Sequence, residues 1–153
     1  LYPMARVKLQ IPAILPFSCP LAVRITDLNY ANHLANDKVL SLLHEARYQY
    51  FLHFGYTELK IEGKSLIMGH CVINFLNESF YGDALICEIG AGDFTRAAFD
   101  LYYRIRRPSD SAIVAEAKTG MVFFDYSARK VATVPNGLKA KLDVTPPQTK
   151  PQI

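Results

Sequence analysis

Between Asn36 and Gly55 the apolar residues return at helical spacing, and nothing after Gly55 repeats that pattern. Val39, Leu40, Leu43, Ala46, Arg47, Tyr50, Phe51 and Phe54 fall on one stripe. Arg47 is its single charged member, expected to lay its stem along the apolar surface. Leu42 widens the stripe beyond what a surface helix requires. Asn36 reads as the N-cap, Asp37 stands where the helix dipole favours an acid, and Gly55 takes a C-cap position. The run predicts a helix roughly 27 Å long. So wide an apolar face has to be covered by the rest of the chain.

The rest of the chain reads as strand. Prolines 12, 16 and 20 keep the amino-terminal segment extended or looped, and LAVRI, 21–25, predicts a first strand. Beyond the helix, SLIMGHCVINFLNES (65–79) carries Gly69 as a bend or bulge. YGD (81–83) signals a turn into ALICEIGAGDF, 84–94. In AAFDLYYRIRRP (97–108) the two-residue period puts Phe99, Leu101, Tyr103 and Ile105 on one face. AIVAEAKTGMVFFDY (112–126) is a long strand, and KVATVP (130–135) closes the sheet or begins the tail. The order is strand, long helix, then four or more antiparallel strands: an α+β domain whose sheet either wraps the helix or lies across it.

Length and composition narrow the field further. A chain of 153 residues, half apolar and a fifth charged, suits one ordered domain with a real core. The net charge of +3 is too modest to argue for nucleic-acid binding. Cys19, Cys71 and Cys87 are odd in number and far apart, which reads as buried thiols in a reducing compartment. No metal-ligand spacing, glycine-rich phosphate loop or membrane-length apolar run occurs. Leu1 to Pro3 stand before the first Met, and the first ten residues, LYPMARVKLQ, lack the long h-region of a secretory signal, so the expected location is cytoplasmic.

The stretch VRITDLNYANHLANDKVLSLLHEARYQYF (23–51) sets short polar residues against the start of that helix. It resembles the signature of the hotdog-fold thioesterases, in particular the 4-hydroxybenzoyl-CoA thioesterase-like group. The likeness rests on Asp27, Asn29, His33, Ala35-Asn36 and Glu45-Ala46-Arg47, and continues through FGY, YGD, FDLYYRI and EAKTGMVFFDY. It spans residues 19–138 as one hotdog domain, an antiparallel sheet wrapped around a central helix. Residues 1–18 are then an extended lead-in and 139–153 a flexible Pro-rich tail. The resemblance implies a homodimer or a dimer of dimers whose thioester site lies between protomers, with the helix N-terminus approaching the thioester carbonyl. The substrate is then an acyl-CoA or an acyl-carrier protein, whose coenzyme A or phosphopantetheine belongs to the substrate. No separate cofactor, metal, nucleic acid or membrane is expected.

One departure from the family pattern bears on the chemistry. The family's usual catalytic carboxylate falls where this chain has Asn29, and an amide has no useful basicity near neutral pH. Ala35 likewise stands where the family has its second asparagine, in the Asn-Asn step. The remaining candidates are His33, as a polarising or water-holding group, and Asp27, as a replacement base or a turn cap. On an extended segment Asp27 and Asn29 would share a face about 6.6 Å apart. Glu45 is expected to be buried on the helix and therefore paired or protonated, and Glu78 is a further acid. The first helical N–H groups offer an oxyanion site that needs no particular side chain. Strand arginines such as Arg104, Arg106 and Arg107 either meet nucleotide phosphates or simply solvate the sheet. Thioester hydrolysis is the leading expectation. A non-catalytic acyl-thioester binder, or a hydratase with His33 as base, is the alternative.

Overall fold

In the computed structural model, which describes residues 5–144, the helical stripe forms α1, Asn36–His53. Val39, Leu42, Leu43, Ala46, Arg47, Tyr50 and Phe51 are its buried side chains, while Leu40 is exposed. Its N-cap is Ala35, one residue before the expected Asn36, and no side chain caps it. Its C-terminus is closed by backbone. Gly55, at φ +80°, donates to the Leu52 carbonyl, and Tyr56 donates to that of Phe51. This is the pairing in which glycine's freedom at positive φ is used to satisfy the last carbonyls.

Around α1 runs an antiparallel sheet built from β1 (Phe17–Ala22), β2 (Ser65–Phe75), β3 (Ala84–Gly92), β4 (Ala98–Arg107) and β5 (Ala112–Asp125). The spatial order is β1-β3-β4-β5-β2, with the two-residue β6 (Lys130–Val131) paired to the end of β5. The sheet stays open and wraps the helix, the hotdog arrangement. Phe99, Leu101, Tyr103 and Ile105 all face α1 and are fully buried, as their two-residue spacing predicts. Tyr50 sits edge-on to Phe17 and Phe54, tying the helix to β1. Tyr103 shares a hydrogen bond with Thr119 at 2.9 Å, so the phenol in the core has a partner.

Several boundaries differ from expectation. The first strand is Phe17–Ala22 instead of 21–25, and Ile25–Asp27 is a single 3-10 turn. Pro20 is tolerated in β1 because this strand lies at the sheet edge, where a missing N–H can face away from the ladder. The register of β2 against β5 shifts between Met68 and His70, so Gly69 marks a bulge. At the start of the stretch read as a tail, a short helix α2 (Leu138–Leu142) buries Leu138 and Leu142. The remainder of that stretch from residue 145, with its three prolines, lies outside the described residues, as do residues 1–4.

Arg47 goes deeper than a stem laid on the apolar stripe. The whole side chain is buried, and its Nε donates to Glu58 Oε1 at 2.8 Å. Arg104, Arg106 and Arg107 are likewise paired, with Glu88 and Glu116, with Glu88, and with Asp83 and Asp110 respectively. Their charge is spent within the sheet and its turns.

Candidate active site

The polar loop between β1 and α1 is held by its own side chains. Asp27 is buried, and its carboxylate accepts the Arg24 backbone N–H at 2.8 Å and the Arg24 guanidinium at 3.1 Å. Those hydrogen bonds from Arg24 hold its carboxyl below the usual carboxylate range. Its carbonyl accepts the N–H of Ala35, so one residue fastens the loop's start to the helix's start. The 3-10 turn ends at Asp27, and Leu28, between it and Asn29, is extended. Asp27 acts as the turn cap.

Asn29 closes the next turn. Its Oδ1 accepts the Ala31 N–H at 2.9 Å and lies 3.4 Å from the His33 N. Its backbone N–H donates to the His33 carbonyl, and Asn32 takes a positive φ of 63° to complete the reversal. Asn readily adopts that conformation. Asn29 Nδ2 comes within 3.4 Å of His33 Nδ1, which also lies 3.3 Å from the Leu34 carbonyl. The opposite ring nitrogen, Nε2, is 3.8 Å from Glu78 Oε1.

That meeting of His33 and Glu78 follows from backbone pairing. His33 bridges to Phe80, and Leu34 donates to the Ser79 carbonyl at 2.8 Å. Arg107 holds the other strand in place by donating to the Glu78 carbonyl at 2.6 Å. At the helix start, Lys38 and Val39 both donate to the Ala35 carbonyl, and Asp37 N–H takes Asn36 Oδ1 at 2.8 Å. Asn36, as the first helical residue, has an N–H with no acceptor inside the helix.

These groups share a cleft of about 530 Å³, lined among others by Arg6, Asn29, His33, Asn36, Phe75 and Glu78. An imidazole, a carboxylate and a helix N-terminal N–H are the components from which a site for attack on a polarised carbonyl can be built. Asp27 does not line the cleft. Glu45 is also elsewhere. Instead of being buried it is exposed, bonded to Gln49 Nε2 at 2.8 Å, and it borders a separate groove beside Pro20 and Arg24. Its face of α1 is the one the sheet leaves uncovered, which removes the need for pairing or protonation inferred from its leucine neighbours.

The thiols are poorly suited to nucleophilic work. Burial pushes Cys19 up to about 11, with Glu45 adding to the effect, and raises Cys87 well above its ordinary value. Among the described residues no group of three or more His, Cys, Asp or Glu could hold a metal, and no helix is long and apolar enough to cross a membrane. Two contributions escape sequence reasoning, namely Arg6 and the stretch 75–77. Arg6 precedes any periodic segment and gives no signal of its own. Residues 75–77 carry ordinary strand-end chemistry.

The sequence model of the thioesterase-like superfamily matches residues 23–142. Slr0204, a 1,4-dihydroxy-2-naphthoyl-CoA thioesterase from Synechocystis, superposes with a TM-score of 0.73 at 21% identity, over 81% of this chain and 93% of its own. The hypothetical protein AQ1494 from Aquifex aeolicus gives 0.75 at 17% identity, over 84% and 100%. BH1999, a gentisyl-coenzyme A thioesterase, gives 0.71 at 13% identity, over 80% and 99%. At such identities the likeness to these structures speaks for the fold alone. No curated protein sequence matches the chain. With the matched region spanning the polar loop, α1 and the whole sheet, the chain belongs to the thioesterase-like superfamily.

Proposed function

We propose that this protein hydrolyses an acyl thioester whose carbonyl lies in the cleft at the start of α1. The observation that carries the reading is the convergence on one cleft of His33, the Glu78 carboxylate and the Asn36 N–H. In this mechanism His33 donates Nδ1–H to the Leu34 carbonyl, leaving the Nε2 lone pair to take a proton from water. The Glu78 carboxylate, 3.8 Å from Nε2, stabilises the imidazolium that forms. The water oxygen bonds to the carbonyl carbon while the Asn36 N–H receives the developing oxyanion. The carbon–sulfur bond then breaks, and His33 returns the proton to the departing thiolate, giving a carboxylic acid and a free thiol.

Asn29 is a positioning residue in this account. Its oxygen holds the turn that presents His33, and with Nδ1–H given to the Leu34 carbonyl its Nδ2 makes no hydrogen bond to the ring, so it fixes the loop without exchanging protons. The exposed edge of β2, with Ile67 and Met68 outward, suits sheet-to-sheet pairing with a second copy that would complete the cleft's wall. The fold relatives Slr0204 and BH1999 make aromatic hydroxyacyl-CoA esters the first compounds to try, alongside short and long acyl chains and acyl-carrier proteins.

A second reading, a thioester-binding protein without turnover, is favoured by the amide at position 29. Thiol release from such a substrate panel separates the two. Turnover that falls in His33→Ala and in Glu78→Gln supports hydrolysis. Binding of acyl-CoA with no thiol released from any ester supports the second reading, and Asn29→Asp would then be expected to create activity.

A further inference from the structure

We propose that Arg6 recognises an anionic group of the thioester substrate, making the segment ahead of β1 a specificity element of the cleft. The inference rests on the thioester reading above. Residues 5–16 have no regular structure, yet they follow the outer face of the sheet. Leu15 and Pro16 press on Gly90 of β3 so closely that a Cβ there would lie 3.1–3.2 Å from them, so the missing side chain makes the approach possible. Lys8, Leu9 and Gln10 then lie in a recess with Asp100 and Tyr102 of β4 and Lys118 of β5. Finally, the Val7 carbonyl accepts Asn74 Nδ2 of β2 at 2.7 Å. The segment has crossed from one side of the sheet to the other, and its next residue reaches the cleft.

Asn74 is followed by Phe75, where the chain enters the wall that carries Glu78, and Arg6 lines the same cleft as His33 and Asn36. Among the described residues no carboxylate pairs with Arg6, whereas Arg24, Arg47, Arg104, Arg106 and Arg107 all have acidic partners. A guanidinium left unpaired beside a site is a planar fork matched to two oxygens of a carboxylate or phosphate. The superfamily match begins at residue 23, so this cation is supplied by a part of the chain outside the matched region. Two sources of the anion fit: a carboxylate on the acyl group, or a phosphate of the coenzyme A portion.

The test uses the full chain with three thioesters. Butyryl-CoA has phosphates only, glutaryl-CoA adds an acyl carboxylate, and butyryl-N-acetylcysteamine has neither. In Arg6→Ala, KM should rise about tenfold, the loss expected for one charge-assisted pair. A rise confined to glutaryl-CoA identifies the acyl carboxylate. Equal rises for both CoA esters with none for the N-acetylcysteamine ester identify the phosphate. Asn74→Ala, which frees the Val7 carbonyl, should shift KM the same way while leaving kcat in place. Unchanged KM for all three esters, or a fall in kcat alone, would overturn the proposal. Calorimetry with the thioether S-butyl-CoA separates this from failure of the functional reading. Wild-type protein that binds the thioether without turning over any ester still tests Arg6 through Kd. Wild-type protein that neither binds nor hydrolyses removes the thioester reading, and this inference with it.

Discussion

The two ends of α1 are finished in opposite ways. At the carboxyl end, Gly55 and Tyr56 return their N–H groups to Leu52 and Phe51, and the side chains around them are Tyr50 and Phe51, both fully buried. At the amino end the cap is an alanine with no side-chain bond, and the neighbours are Asn29, His33 and Asn36 along an open cleft. A Ser, Asn or Asp cap would add about 1 kcal/mol to the helix. One end of the helix is closed by its own backbone; the other keeps a donor uncommitted.

Mutations at the two ends should therefore separate stability from activity. Phe51→Ala, at the closed end, should lower unfolding free energy by about 3–5 kcal/mol, read by urea denaturation, because the cavity it leaves is walled by helix and sheet. Under the proposed mechanism, His33→Ala at the open end should cut kcat/KM by about 10²–10⁴. It should leave the denaturation midpoint nearly unmoved. A large stability loss from His33→Ala would break the comparison.

Asp27 belongs to the structural side despite its place in the loop. Its folded carboxyl is held low by the Arg24 hydrogen bonds, so its stabilisation is present above the ordinary carboxylate range and is lost as pH falls through the depressed value. Melting scans from pH 6 down to pH 2 should show Asp27→Asn losing less on acidification than wild type. At pH 7 the variant should already be destabilised by about 1–3 kcal/mol. The smallest effect sharpens the contrast most. Ala35→Ser should raise stability by about 0.5–1 kcal/mol by capping the first turn. It should leave kcat nearly unchanged, because a cap hydroxyl accepts from the N–H groups of Asp37 or Lys38 and leaves that of Asn36 free.

What could be read beforehand follows the same division. Burial leaves a period, so the α1 stripe and the Phe99–Ile105 alternation were visible as spacing, and Gly55 and Gly69 as single punctuating residues. Leu42 and Leu43 precede Glu45 along the chain and suggest burial for it. Its neighbours in space are Ser41, Tyr48 and Gln49, on the uncovered face. The cap lies one residue before Asn36, at Ala35, whose methyl group carries no capping signal. Within the site, the motif brings Asn29 and His33 into view, whereas the meeting of His33 with Glu78 depends on a bridge to Phe80, 47 residues further on. Arg6 is tethered by a hydrogen bond spanning 67 positions, and no local pattern encodes such a contact.

The bulge at Gly69 interrupts the outermost strand of an open sheet. Backbone groups on its two sides point out of phase, so a straight foreign peptide zipping along that border could match only one half before losing step.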